Sequence, residues 1–168
     1  MMDLTERIVP RRSGHSAQKA EYSGKKKQHT IKNLALSDPD GYVHFLSEAY
    51  EGSVHDKAIW DELTIAPLAP DLLAGLGFLG ISKTQPNAIL PDKKTRNRAL
   101  TDEQKHINRI IASLRVRIEH AFAGIKRLKI IRNKIRLKCC SMRNQMMRIT
   151  TALHNLRVQT RLPIQIQL

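Results

Sequence analysis

From residue 102 to about 127 the chain carries one unbroken helical stripe. Ile107, Ile110, Ile111, Leu114, Ile118, Ala121, Phe122, Ile125 and Leu128 recur at intervals of three and four, the spacing that lines one face of an α-helix. Thr101 stands where an N-cap belongs and Gln104 where its capping-box partner belongs. A second helix is expected from about Ser141, with Met142, Met146, Ile149, Leu153 and Leu156 as its inward stripe. Two long helices at the C-terminal end need an apolar surface to pack on, and the earlier residues must supply it.

Those earlier residues read as strands and short turns. Residues 30–36 and 42–47 form a β-hairpin candidate around the turn Ser37-Asp38-Pro39-Asp40-Gly41, where Pro presets φ and Gly tolerates positive φ. Ser53 is read as the N-cap of a short helix, with Asp56 in its first turn and Ile59, Trp60 and Leu63 facing inward. Pro67 and Pro70 interrupt the chain, Leu72 and Leu73 form a short apolar segment, and residues 87–90 read as another short strand. Residues 1–29 look irregular, with Pro10, Gly14 and Gly24 as breakers. The order predicts a mixed α/β plan: a domain over residues 1–160 and a C-terminal tail over residues 161–168.

Charge separates the chain into two parts. Of 29 Lys and Arg and 15 Asp and Glu, residues 1–92 hold 10 and 12, whereas residues 93–168 hold 19 and 3, a net of +16. Such a body suits a polyphosphate partner, because neutralising phosphates releases counterions. Lys25, Lys26, Lys27, Lys93, Lys94, Arg96, Arg115, Lys126, Arg127 and Lys129 are the candidate DNA contacts. No apolar run is long enough for a membrane span and no secretory-type apolar stretch opens the chain. The two cysteines, Cys139 and Cys140, are adjacent, poor geometry for a disulfide and too few for structural zinc. The expected setting is a reducing one, cytoplasmic and DNA-associated.

Glu119 is the only acid after Glu103, and it lies among Arg115, Arg117, Lys126 and Arg127. It can pair with Arg115 one turn back and merely temper local charge. It can instead be a carboxylate ligand for a hard divalent cation beside bound DNA. The histidines are scattered and read as structural or surface groups, and Trp60 as core.

Six blocks then fall in one order: YSGKKKQHTIK at 22–32, GSVHDK at 52–57, LGFLGI at 76–81, LTDEQKHINR at 100–109, RVRIEHAFAGIKR at 115–127 and LHNLR at 153–157. Together they resemble the DDE superfamily endonuclease domain of bacterial insertion-sequence transposases. The resemblance implies an RNase H-like mixed sheet flanked by helices. It also implies an acidic trio that holds two divalent ions, Mg²⁺ or Mn²⁺, for in-line chemistry at phosphorus. Its implied partners are DNA, both transposon ends and target, and another copy of the chain or a full-length transposase.

By the resemblance, Asp3 in DLTER matches the first acid, with Leu4 where the family usually has Gly, and Glu119 in RIEHAF matches the last. The second acid falls at Gly75 in AGLGFLG, which offers no oxygen. Asp71, four residues earlier, would be displaced by more than ~10 Å along a strand. Asp56 in GSVHDK is a supporting residue and a candidate replacement ligand. In the family a strand runs into the first acid after a helix-turn-helix, so the first strand is expected here to be cut short, as in a truncated copy. The implied activity is metal-dependent DNA cleavage and strand transfer, impaired by Gly75. The other reading is a non-catalytic DNA-binding protein that competes with or inhibits a full-length transposase.

Overall fold

A computed structural model describes residues 1–63, 65–66, 71–96 and 99–161. Pro67, Pro70 and residues 162–168 of the expected tail lie outside the described residues.

The fold is organised around one long strand. β3 (Gln28–Ser37) pairs antiparallel with β1 (Met2–Ile8) over seven residue pairs, from Met2 opposite Leu36 to Ile8 opposite Thr30. It also pairs antiparallel with β2 (Tyr22–Ser23), β4 (Val43–Leu46) and β5 (Tyr50–Glu51). The expected hairpin is therefore present as β3 and β4. β6 (Leu72–Leu73) and β7 (Ala88–Ile89) form a separate parallel pair. The helices are α1 (His15–Glu21), α2 (Asp56–Glu62), α3 (Asp102–Ile125), α4 (Lys129–Arg132) and α5 (Cys140–Gln159). The architecture is mixed α/β.

Successive β3 side chains point to opposite faces, and both faces are covered. Leu34 joins Met2, Ile59, Trp60, Leu72, Ala74, Phe78 and Ile81 in one apolar cluster. The next residue, Ala35, joins Val43, Ile118, Ala121, Phe122, Ile125, Ile131 and Met147 in another. Residues of α2, of β6 and of the stretch from Ala74 to Ile81 thus cover one face, and α3, α4 and α5 the other.

Three expectations at the N-terminal end need correction. Residues 1–29 are not irregular, because they contain β1, α1 and β2. Nor is the first strand a stub ending at Asp3: it begins beside Asp3 and pairs along its whole length with β3. Its polarity hid it, since Thr5 and Arg7 are both buried, and Arg7 donates to Asn33 Oδ1 at 2.5 Å. The N-cap of α2 is His55, whose Nδ1 accepts from Lys57 N at 3.3 Å, whereas Ser53 N donates to Ala20 O.

The two C-terminal helices differ from expectation in their faces. α3 has the expected capping box between Thr101 and Gln104, but only Ile111, Ile118, Ala121, Phe122 and Ile125 of its stripe are buried. Ile107, Ile110, Leu114 and Leu128 are exposed. In α5 the expected inward stripe faces out at Met142, Ile149, Leu153 and Leu156, and the helix instead buries Arg143, Met147, Thr150, Thr151, His154 and Val158. The buried row is the expected one turned by about one residue, and its cause is polar. Asn155 brackets Val43, accepting from its N at 2.9 Å and donating to its O at 2.8 Å. His154 Nε2 lies 2.9 Å from Gly41 O and Asn144 Oδ1 accepts from Ala49 N at 3.0 Å. Backbone groups around β4 must find partners, and α5 turns its polar side toward them.

Candidate active site

β1, α2 and α3 converge on an open cavity of about 540 Å³. Four carboxylates line it, Asp3, Glu6, Asp56 and Glu119, with five cations, Lys25, Lys26, Lys32, Arg115 and Lys126. The structure therefore brings Asp3, Asp56 and Glu119 to one cleft from positions more than fifty residues apart. Glu6 was not singled out in the sequence. It lies three residues after Asp3 on the same strand, on the alternate face by period, so no local pattern in the sequence marked it for the cleft.

The acids are held differently. Asp3 Oδ1 accepts from Leu4 N at 2.9 Å, and Oδ2 lies 3.4 Å from Arg115 Nη2. Arg115 thus pairs across elements with Asp3, rather than along its helix with Glu119. Desolvation raises the Asp3 pKa above the ordinary carboxylate value; Arg115 and the Leu4 N–H oppose the rise, and Glu119 and Asp56 add to it. Asp3 therefore feels both of the other carboxylates. Asp56 Oδ1 pairs with Lys32 Nζ at 3.1 Å, and the same Nζ donates to Val54 O at 2.7 Å. Glu6 Oε1 accepts from Ser23 Oγ at 2.9 Å and from Thr30 Oγ1 at 3.4 Å. Glu119 is exposed and has no ion pair among the described residues. Lys126, the C-cap of α3, has its pKa lowered by burial first and by Lys26 and Arg7 next, with Glu6 opposing.

Gly75 borders this arrangement. A Cβ built there would lie 2.9 Å from Arg115 Nη2. The Arg115 guanidinium therefore occupies the space a side chain at position 75 would enter, with Asp3 beyond it. Asp56 is closer still to Gly77, where a Cβ would lie 2.4 Å from Oδ2.

Among the described residues no group of three or more His, Cys, Asp and Glu could hold a metal ion. The donor chemistry of the cleft agrees: Asp3 and Asp56 are each engaged by a cation, and position 75 has no side-chain oxygen. As it stands the set does not fit a two-ion centre.

The expected DNA contacts are distributed. Lys25, Lys26, Arg115 and Lys126 line the cleft. Arg127 lines a different cavity with Arg157 and Arg161, and Lys129 a third with Lys134 and Arg136. Lys27, Lys93, Lys94 and Arg96 are exposed outside the cleft lining. No helix among the described residues is long and apolar enough to cross a membrane.

A family model described as DDE superfamily endonuclease matches residues 2–155. A curated relative, a probable transposase for insertion sequence element IS702 from Microchaete diplosiphon, is 31% identical over 140 residues, covering 81% of this chain. The chain spans about half that relative's length, 49%. No solved structure matches. The match runs from the strand that carries Asp3, through the helix that carries Glu119, to the residues of α5 that bracket β4, and on it the chain belongs to the DDE superfamily endonuclease family.

Proposed function

We propose that this chain is the catalytic domain of a DDE-type transposase, with an RNase H-like fold, that holds DNA but is impaired in cutting it. The observation that carries the proposal is the setting of Gly75. It borders the cleft that Asp3 and Glu119 line, it supplies no ligand, and the Arg115 guanidinium stands against it and pairs with Asp3. The family's chemistry uses divalent ions, Mg²⁺ or Mn²⁺, to activate one oxygen and stabilise another in line at phosphorus. This chain's own residues do something narrower. Lys25, Lys26 and Lys126 supply positive charge for a strand's phosphates, and Arg115 and Lys32 neutralise the carboxylates that would repel it.

The fold proposal rests on the antiparallel set β1, β3 and β4, on α3 packed against it, and on the parallel strand β6 that ends just before Gly75. A second reading, a non-catalytic DNA-binding protein that competes with or forms mixed oligomers with a full-length transposase, is favoured by the cation surplus of residues 93–168.

The test is a nicking assay on supercoiled plasmid carrying transposon ends, with Mg²⁺ or Mn²⁺, run beside a DNA-binding assay. Binding without nicking is expected. Efficient nicking that Glu119→Ala abolishes would overturn the impairment.

A further inference from the structure

A smaller cavity, about 250 Å³, adjoins the cleft along the last turns of α3, and Ala123 lines both. Its polar lining is His120, Arg127, His154, Arg157 and Arg161, with no carboxylate. None of its three arginines makes an ion pair among the described residues. The Arg157 pKa is lowered by desolvation and then by Arg127 and Arg161, so the Arg157 guanidinium feels both of the other two.

A close approach of two helices builds this pocket. Gly124 lets the His154 ring of α5 lie against α3, where a Cβ would be 2.3 Å from Nδ1. His154 Nε2 lies 2.9 Å from Gly41 O. A carbonyl only accepts, so that nitrogen carries the proton and the ring is fixed in orientation. With the ring seated, Arg157 and Arg161 on the end of α5 come beside Arg127 just past the end of α3. Cations do complement helix C-termini, by about 0.3–1 kcal/mol each. That accounts for a cation at each end but not for three guanidiniums and an exposed imidazole around one hollow without an acid.

We infer that this pocket is a second phosphate site, which holds the sugar-phosphate backbone of a DNA strand that passes over Ala123 from the carboxylate cleft. Guanidinium forks match phosphate oxygens in pairs. Ala123 is exposed and carries only a methyl group, so the wall shared by the two cavities is low. The contacts it offers go to phosphate oxygens, which carry no base identity, so the site adds affinity without sequence preference. The inference rests on the DNA-binding reading above.

The experiment is a salt titration of binding to a short labelled single-stranded DNA of mixed sequence, from about 50 to 200 mM salt. Four purified chains are compared: unchanged, Arg157→Gln/Arg161→Gln, Arg157→Lys/Arg161→Lys and Ala123→Glu. Each phosphate that the protein no longer neutralises flattens the log–log slope by about 0.7 for a single strand. The Gln pair is expected to flatten it by about 0.7–1.4 on that scale, the Lys pair to keep it, and Ala123→Glu to weaken binding with helical circular dichroism unchanged. If the unchanged chain binds and the Gln pair keeps its slope, the second site is wrong and the DNA reading stands. If the Lys pair is as weak as the Gln pair, the effect is structural and the second site is again wrong. No binding by the unchanged chain overturns both.

Discussion

The two cavities that meet at Ala123 are built on opposite electrostatic principles. In the cleft every cation has a carboxylate within the same lining, and Asp3 and Asp56 are already engaged by Arg115 and Lys32. In the arginine pocket the cations face only one another. A ligand entering the cleft must displace or exploit existing pairs, whereas a phosphate entering the pocket relieves repulsion. The comparison teaches that, on the proposed reading, strand holding and strand cutting would be separable: the arginine pocket needs no further group to take a phosphate, whereas the cleft has no side-chain oxygen at position 75.

Glycine substitutions should break this comparison most visibly. Gly124→Ala drives a methyl into the His154 ring, which is buried and tied to Gly41. Overpacking of that kind costs about 1–3 kcal/mol, more than the helix-propensity gain of about 1 kcal/mol. A net loss of up to about 2 kcal/mol is expected in a urea melt, by the same magnitudes. Gly75 is buried too, but Gly75→Ala meets only the end of a flexible arginine, so a smaller loss than at Gly124 is expected. Equal losses at the two positions would mean that the cleft is packed as rigidly as the pocket.

A smaller effect sharpens the electrostatics of the cleft. The Asp3 carboxyl should titrate above the ordinary aspartate value when followed by NMR. Arg115→Gln should raise it further, because Arg115 opposes the rise, and Glu119→Gln should lower it. The sign for stability follows. Between the ordinary aspartate pKa and the raised one, the folded chain binds more protons than the unfolded chain, so the Asp3 contribution falls as pH rises through that window. Shifts in one direction for both variants would place Arg115 or Glu119 away from Asp3.

Much of this was legible in the sequence, for identifiable reasons. The capping box of α3, the hairpin and the inward Ile59 and Trp60 obey local rules that tertiary structure did not override. Asp3, Asp56 and Glu119, which the ordered blocks singled out, line one cleft. What failed depended on partners distant in sequence. β1 reads as polar because its buried Arg7 is satisfied in part by Asn33. The inward face of α5 was misplaced because Asn155 and His154 answer backbone groups more than a hundred residues earlier. Glu6 and the pairing of Arg115 with Asp3 were missed for the same reason: both needed the register of β1 against the rest of the fold.

The proposal that the metal centre is incomplete is tested most directly by Mn²⁺ binding, read as loss of the free-ion signal in electron paramagnetic resonance. Three chains suffice: unchanged, Glu119→Gln and Gly75→Asp. The unchanged chain is expected to bind Mn²⁺ no better than Glu119→Gln, and Gly75→Asp to bind it more tightly than either. Tight binding by the unchanged chain that disappears in Glu119→Gln would contradict the account, because the centre would then be whole without an acid at position 75.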